Sequence, residues 1–136
     1  MAIIISFGSS AALAQKNYNE GDLSLNGTMF VETATGQLAN GIARIYYSSG
    51  QLQHELSYKN GKRDGITKRF DETGKLKSYY TYKNGQRNGT AKVYGASGYS
   101  VVEYVNDTAV RGTLYSSDGS RSSPMTQDQL SILSKI

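Results

Sequence analysis

The chain has 136 residues, a mass of 14.8 kDa, no cysteine and a formal net charge of +4. That length bounds it at one domain with a modest core, and the lack of cysteine excludes a disulfide framework or a Cys-ligated metal centre. With 38% apolar residues, eleven tyrosines and fifteen glycines, the composition disfavours a thick aliphatic interior and suits a thin sheet covered by amphipathic rings.

In chain order, the opening stretch Ala2 to Ala14, AIIISFGSSAALA, is a short apolar run ending in Ala12-Leu13-Ala14, the small-x-small pattern of a signal-peptide cleavage site. It is too short to span a bilayer as a helix, and no Lys or Arg precedes it. The expectation is an exported bacterial protein, periplasmic or secreted, whose mature chain begins at Gln15. If residues 1–14 are not a signal peptide, a cytoplasmic protein is expected instead. The repeat domain would then occupy residues 15–121.

Residues 22–41, DLSLNGTMFVETATGQLANG, read as a worn copy of the unit that follows, with an Asn26-Gly27 turn and a strand-like MFVET. The clear repeats are 41–64 and 65–88, and 89–111 is a degenerate third. SYKNGKRDG at Ser57 to Gly65 returns as TYKNGQRNG at Thr81 to Gly89. Gly41, Gly65 and Gly89 recur every 24 residues, as do Gly50, Gly74 and Gly98. Gly61 and Gly85 form another column, which fails at Ala109. By the same period Tyr46, Phe70 and Tyr94 align, as do Leu56, Tyr80 and Tyr104, while Tyr58 and Tyr82 lose their third member at Asn106. GIARIYY and GITKRF, then LQHELSY and LKSYYTY, are rich in β-branched and aromatic residues and are bounded by turn signals. Asn-Gly is the strongest of these signals, because both residues tolerate positive φ. No stretch of 41–111 keeps a helical apolar spacing over three turns. The expected fold is mainly β: an elongated, twisted antiparallel sheet of stacked β-hairpin repeats, each copy sheltering its neighbour.

Residues 122–136 read as a linker and a short C-terminal helix. RSSP is the break, and TQDQLSILSKI is the helix, capped by Thr126 with Gln129 in the reciprocal position. Leu130 and Leu133, with Ile132 and Ile136 nearby, give it an apolar side that folds over an open sheet end or serves as a partner-binding tail.

Nothing in the chain makes a convincing catalytic, cofactor or metal site. His54 is the single histidine, and Glu55 beside it projects from the opposite face of a strand, so a three-ligand zinc set does not form. Asp71-Glu72 and the serine pairs 48–49 and 116–117 sit in turns without a base beside them. No Gly-rich strand-to-helix turn or phosphate loop is present. Catalytic, cofactor-binding and metal residues are therefore expected to be none.

Binding is the better prospect. Residues 41–88 hold ten Lys/Arg against four Asp/Glu, so the repeats are the basic part of the chain. Arg44, Lys68 and Lys92 share one repeat column, and Arg63 and Arg87 another. Two strands per copy would place successive charges roughly 10 Å apart, close to the Debye length at physiological salt. Such a ladder could keep a sheet soluble, or present a basic stripe to an acidic partner. The expected partner-binding residues are Arg44, Lys68 and Lys92, with the side chains that vary between copies: Tyr47, Glu55, Arg69, Lys77 and Tyr79.

The central units, G-x-A-x-x-Y-Y-x-x-G-x-L (Gly41 to Leu52) and Y-K-N-G-x-x-x-G (Tyr58 to Gly65 and Tyr82 to Gly89), resemble the bacterial variant of the MORN repeat, from which YwqK-type antitoxins are built. The resemblance covers about residues 22–111 and departs in the third unit, where Gly95 and Tyr99 to Val105 replace a charged strand. It implies a non-catalytic antiparallel sheet that binds a protein partner, with a toxin as the partner of an immunity protein. Peripheral binding to an anionic membrane or envelope polymer, or a structural envelope role, is the alternative. Nucleic acid is not an expected partner, and the oligomeric state stays open.

Overall fold

The computed structural model describes residues 15–136, and the expected signal segment, 1–14, lies outside the described residues. The strands are β1 (Lys16–Tyr18), β2 (Leu23–Asn26), β3 (Met29–Glu32), β4 (Gly41–Tyr46), β5 (Leu52–Lys59) and β6 (Lys62–Arg63). They continue with β7 (Gly65–Phe70), β8 (Leu76–Lys83), β9 (Gln86–Tyr94), β10 (Gly98–Val105), β11 (Thr108–Ser116) and β12 (Ser122–Pro124), and helix α1 (Gln127–Lys135) ends the chain.

Turn chemistry sets the hairpins. Asn60 and Gly61 take φ of 50° and 75°, and Asn84 and Gly85 take 54° and 87°, the positive values that a two-residue loop of the mirror-image type requires. From these turns a single sheet grows in the order β1-β4-β5-β7-β8-β9-β10-β11-β12, with the short β6 also paired to β5. Every pairing from β4 onward is antiparallel, so the large hairpin sheet read from the repeats is what forms. The exception lies at the edge: β1 runs parallel to β4, with Lys16 opposite Gly41.

The third copy corrects the column alignment. In the first two copies the register slips by one, between Ile45 and Tyr46 and between Arg69 and Phe70. Gln53 and Lys77 are the extra, bulged residues. The β9–β10 pair has neither this bulge nor the longer turn, and Tyr94 sits directly opposite Tyr99. Tyr94 to Asn106 is consequently two residues shorter than Phe70 to Asn84. Tyr104 therefore faces Gly89 as Tyr58 faces Gly41 and Tyr82 faces Gly65. The true columns are Tyr58, Tyr82, Tyr104 and Leu56, Tyr80, Val102. Asn106-Asp107, at φ 47° and 67°, takes the place that Asn-Gly holds in the first two copies. Asp107 holds this left-handed conformation while its carboxylate accepts from the backbone N–H and the Nε of Arg87, at 2.9 and 3.1 Å.

One face of the sheet is covered at both ends. At the N-terminal end Tyr18, Ala39, Ala43, Leu56 and Tyr58 form a buried cluster, joined by Leu23 and Phe30. Residues 22–40 are thus not one more copy in the stack. Their β2–β3 hairpin forms its own small sheet and lies on the larger one, with Phe30 packed 4.9 Å from the Tyr58 ring. Its strands, four residues each, are half the length of β5, and β1 already occupies the edge that a full copy would need. Backbone bonds from Phe30 N–H to Gly61 O (2.8 Å) and from Gly61 N–H to Ala39 O (2.9 Å) fasten it to the first Asn-Gly turn.

At the other end Ala91, Val102, Tyr104, Ala109 and Leu130 are buried together, with Met125 and Leu133 against them. Leu130 brings α1 onto the sheet, and burying such a side chain contributes about 2 kcal/mol. The helix begins as its sequence specifies: Thr126 Oγ1 accepts from Gln129 N–H, and Gln129 Oε1 accepts from Thr126 N–H at 2.9 Å. The preceding RSSP is corrected from a linker to an edge strand. Ser122, Ser123 and Pro124 pair with Tyr115, Leu114 and Thr113, and an edge is where a sheet tolerates proline.

Candidate functional site

Strand alternation divides the expected binding residues between the two faces. On the face opposite the two clusters, the register runs Arg44–Glu55, Glu55–Lys68, Lys68–Tyr79, Tyr79–Lys92 and Lys92–Val101. Five of the eight expected residues therefore form one continuous row across the centre of the sheet. Glu55 binds both of its neighbours, taking Lys68 Nζ at 3.0 Å and Arg44 Nε at 3.2 Å. Arg44 reaches on to Asn17 Oδ1 at 2.7 Å, which ties the row to the parallel edge strand. The Lys68 hydrogen bond, with both cations adding, holds the Glu55 carboxyl below its ordinary 4.5.

The row is therefore not an unbroken basic stripe. Its first half is a cation–carboxylate–cation relay. Its second half carries Lys92, whose ammonium lies 4.0 Å from the Tyr99 ring centre and 4.8 Å from that of Tyr94. Tyr99 in turn stacks on Tyr115 at 4.8 Å and 11°. This three-tyrosine patch was hidden in the sequence because the shortened third copy moves Tyr99 off the 24-residue columns. A pattern of paired aromatics around Gly98 was the available signal.

Tyr47, Arg69 and Lys77 do not join the row. Tyr47 sits in the turn after β4 and donates its hydroxyl to Phe70 O at 2.8 Å, which fastens one turn to the next. Arg69 lies opposite His54 in the β5–β7 pair, and Lys77 is the bulge residue of β8. Arg69 and Lys77, with His54, Arg63, Thr67 and Ser78, line a groove of about 390 Å³ on the covered face. Burial, with Arg69 and Arg63 adding, pushes the His54 imidazole below its ordinary 6.5. His54 and Glu55 do project from opposite faces. Among the described residues no group of three or more His, Asp or Glu stands together as a metal site, and no helix is long and apolar enough to cross a membrane.

Residues 39–60 and 63–84 match the family described as MORN repeat variant. These two central units are MORN-variant repeats. Each matched segment is one strand pair ending at an Asn-Gly turn, β4–β5 for one and β7–β8 for the other. The third unit, with its two missing residues, lies outside both matches. No curated protein and no solved structure matches the chain. MORN repeats are generally non-enzymatic binding modules, and the cross-strand row falls on the two matched units and the strand that follows them.

Proposed function

We propose that this MORN-repeat protein is a non-catalytic binding module that engages another protein through its row face. The observation that carries the reading is the row itself, Arg44, Glu55, Lys68, Tyr79 and Lys92, continued by Tyr94, Tyr99 and Tyr115. Among the described residues, both covering elements lie on the other face, so this one is left free. Preformed strands that lose little freedom on docking give a large part of the affinity of such a surface, and interleaved tyrosines and cations are the side chains that anchor protein interfaces. The relay of charges would fix register and direction on a partner carrying acidic residues at matching spacing.

The resemblance to antitoxin-type repeat proteins makes a toxin the partner to look for, with occlusion of its active surface as the mechanism. The apolar opening run supports export, so the encounter would take place in the periplasm or outside the cell. The mass of the mature N-terminus tests that point. For the binding reading, the wild-type chain and a Lys68→Glu/Lys92→Glu variant would be used to capture partners from a periplasmic extract. One stoichiometric protein held by the wild type and lost by the variant is expected. Capture of no protein, or of one that the double variant holds equally well, counts against the reading.

A second reading is favoured by the cation excess of the repeats: peripheral binding to an anionic membrane or envelope polymer. Co-sedimentation with anionic liposomes at low and high salt separates the two, since the second reading requires binding that salt abolishes.

A further inference from the structure

We propose that the groove in the middle of the covered face is a binding site for a small, soluble phosphate monoester. It lies between the two ends of that face. The β2–β3 hairpin and its cluster stand on one side, and α1 with its cluster on the other. Neither covers His54, Thr67, Arg69, Lys77 or Ser78, which β5, β7 and β8 bring together.

The chemistry of the lining points to an anion. Arg63, Arg69 and Lys77 converge on the groove, and no carboxylate lines it. The ion pairs among the described residues are Lys16–Glu32, Arg44–Glu55, Lys68–Glu55 and Arg87–Asp107, so none of the three groove cations takes part. Gathering three like charges around a partly desolvated recess is unfavourable unless a counter-charge enters it. Arg69 is the most exposed of them and is free to turn its fork toward a ligand.

Two polar atoms add a second, independent observation. His54 Nδ1 and Thr67 Oγ1 are shut off from water and have no hydrogen-bond partner. Both belong to residues lining this same groove. Buried polar groups left unpaired are rare and mark places where something is missing. An oxyanion in the groove supplies acceptors for the guanidinium forks and the ammonium, and for the imidazole and the hydroxyl once those two side chains turn from their shut-off positions toward it.

A phosphate monoester meets this set better than a carboxylate. It carries close to two negative charges and three acceptor oxygens at neutral pH, and guanidinium forks match its geometry. The groove, at about 390 Å³, is larger than the phosphoryl group needs. The remainder is flanked by Tyr80 and Tyr82, which suit an apolar or aromatic ester body. The hairpin and helix on either side stop a polymer from continuing along the face and keep a flat bilayer away from it. The ligand is therefore compact and in solution.

His54 reports directly on occupancy, because it is the single histidine of the chain. It faces Arg69 from β7, Arg63 from β6, and Lys77 and Ser78 from β8, with no acid among them. The experiment follows its ring signals by NMR while phenyl phosphate is added to the wild-type chain, to Arg69→Gln and to Lys77→Gln. The expected result is a saturable shift, with the His54 titration midpoint rising in the bound form. Each variant should bind about tenfold more weakly, as loss of one charge-assisted contact implies. The row variant Lys68→Glu/Lys92→Glu, altered on the opposite face, should respond as the wild type does, so failure here is distinguishable from failure of the protein-binding reading. An unmoved His54 signal at millimolar phenyl phosphate overturns the proposal. So does an equal response in Arg69→Gln, or a response to vesicles of a phosphate-monoester lipid without one to phenyl phosphate.

Discussion

The guanidinium of Arg87 lies 4.4 Å from the ring centre of Tyr104 and adds a polar clamp to the apolar contact by which the sheet holds its C-terminal helix. Its Nε binds Asp107 Oδ1 at 3.1 Å. One Nη donates to Asp107 O and the other to Leu133 O, both at 3.1 Å. The Leu133 carbonyl belongs to the last turn of α1, where carbonyls lack helical partners and a cation is favoured.

Arg87→Lys should therefore cost far more than a surface exchange. The ammonium keeps the charge but loses the planar fork that serves the turn, the ring and the helix end together. The side chain is only 11% exposed, and stranding buried carbonyls costs about 1–3 kcal/mol. Urea unfolding should show a loss of that order, and hydrogen exchange should show α1 opening ahead of the sheet. An unchanged midpoint with α1 fully protected would refute the clamp.

Gly41 and Gly65 hold equivalent places in successive repeats but should answer differently to alanine. At Gly65 a Cβ would meet Ser57 Cβ at 3.2 Å, a contact that a small shift relieves. At Gly41 it would run into the backbone oxygen of Lys16 in β1. Both positions also take positive φ, 152° and 101°, so each substitution carries about 1 kcal/mol of backbone strain. Gly41→Ala adds expulsion of the parallel edge strand. Amides of residues 16–18 should lose exchange protection in that variant and keep it in Gly65→Ala.

What the sequence made legible was local. Asn60-Gly61 and Asn84-Gly85 encode their own turns through their tolerance of positive φ, and Thr126 with Gln129 encodes the helix start. Counting by 24 failed at Tyr104, because a bulge and a turn residue are both absent from the third copy. A period records how many residues pass, not which of them pair. The parallel edge strand KNY is three residues long and has no signal of its own. The row from Arg44 to Lys92 was partly visible as a repeat column. Placing Glu55 between two of its cations needed the antiparallel register. The groove around His54 depends on where the hairpin and the helix stop, which no local pattern states.

Glu55→Gln should weaken the sheet modestly at neutral pH, by about 0.5–1 kcal/mol, the range of a cross-strand charge pair. Its carboxylate, 19% exposed, separates Arg44 from Lys68, and the amide leaves those two cations without the charge between them. Because the loss is electrostatic, the difference between wild type and variant should shrink in high salt. A salt-independent difference would instead point to lost packing of the side chain.

Glu32 gives the sharpest pH dependence. Its carboxylate takes Lys16 Nζ at 2.6 Å, Thr35 Oγ1 at 2.7 Å and the Tyr18 hydroxyl at 3.0 Å. These bonds, the Lys16 one foremost, bring it from an ordinary 4.5 down to about 2. A carboxyl whose value is lowered by folding binds protons more readily in the unfolded chain, so its contribution is whole above about pH 4.5 and is lost as pH falls toward 2. Asp118, held at about 2 by the Ser116 and Ser120 hydroxyls and the Ser120 N–H, acts in the same direction elsewhere. Acid unfolding of the wild type alone would therefore mix the two. Comparison with Glu32→Gln isolates the first: the stability gap between the two chains should be constant above pH 5 and close progressively below it. The same acid window should release β1, because Glu32 on β3 is what Lys16 and Tyr18 hold across the gap between the small sheet and the large one. A gap that stays open at pH 2 would show that the side chain acts through shape rather than charge.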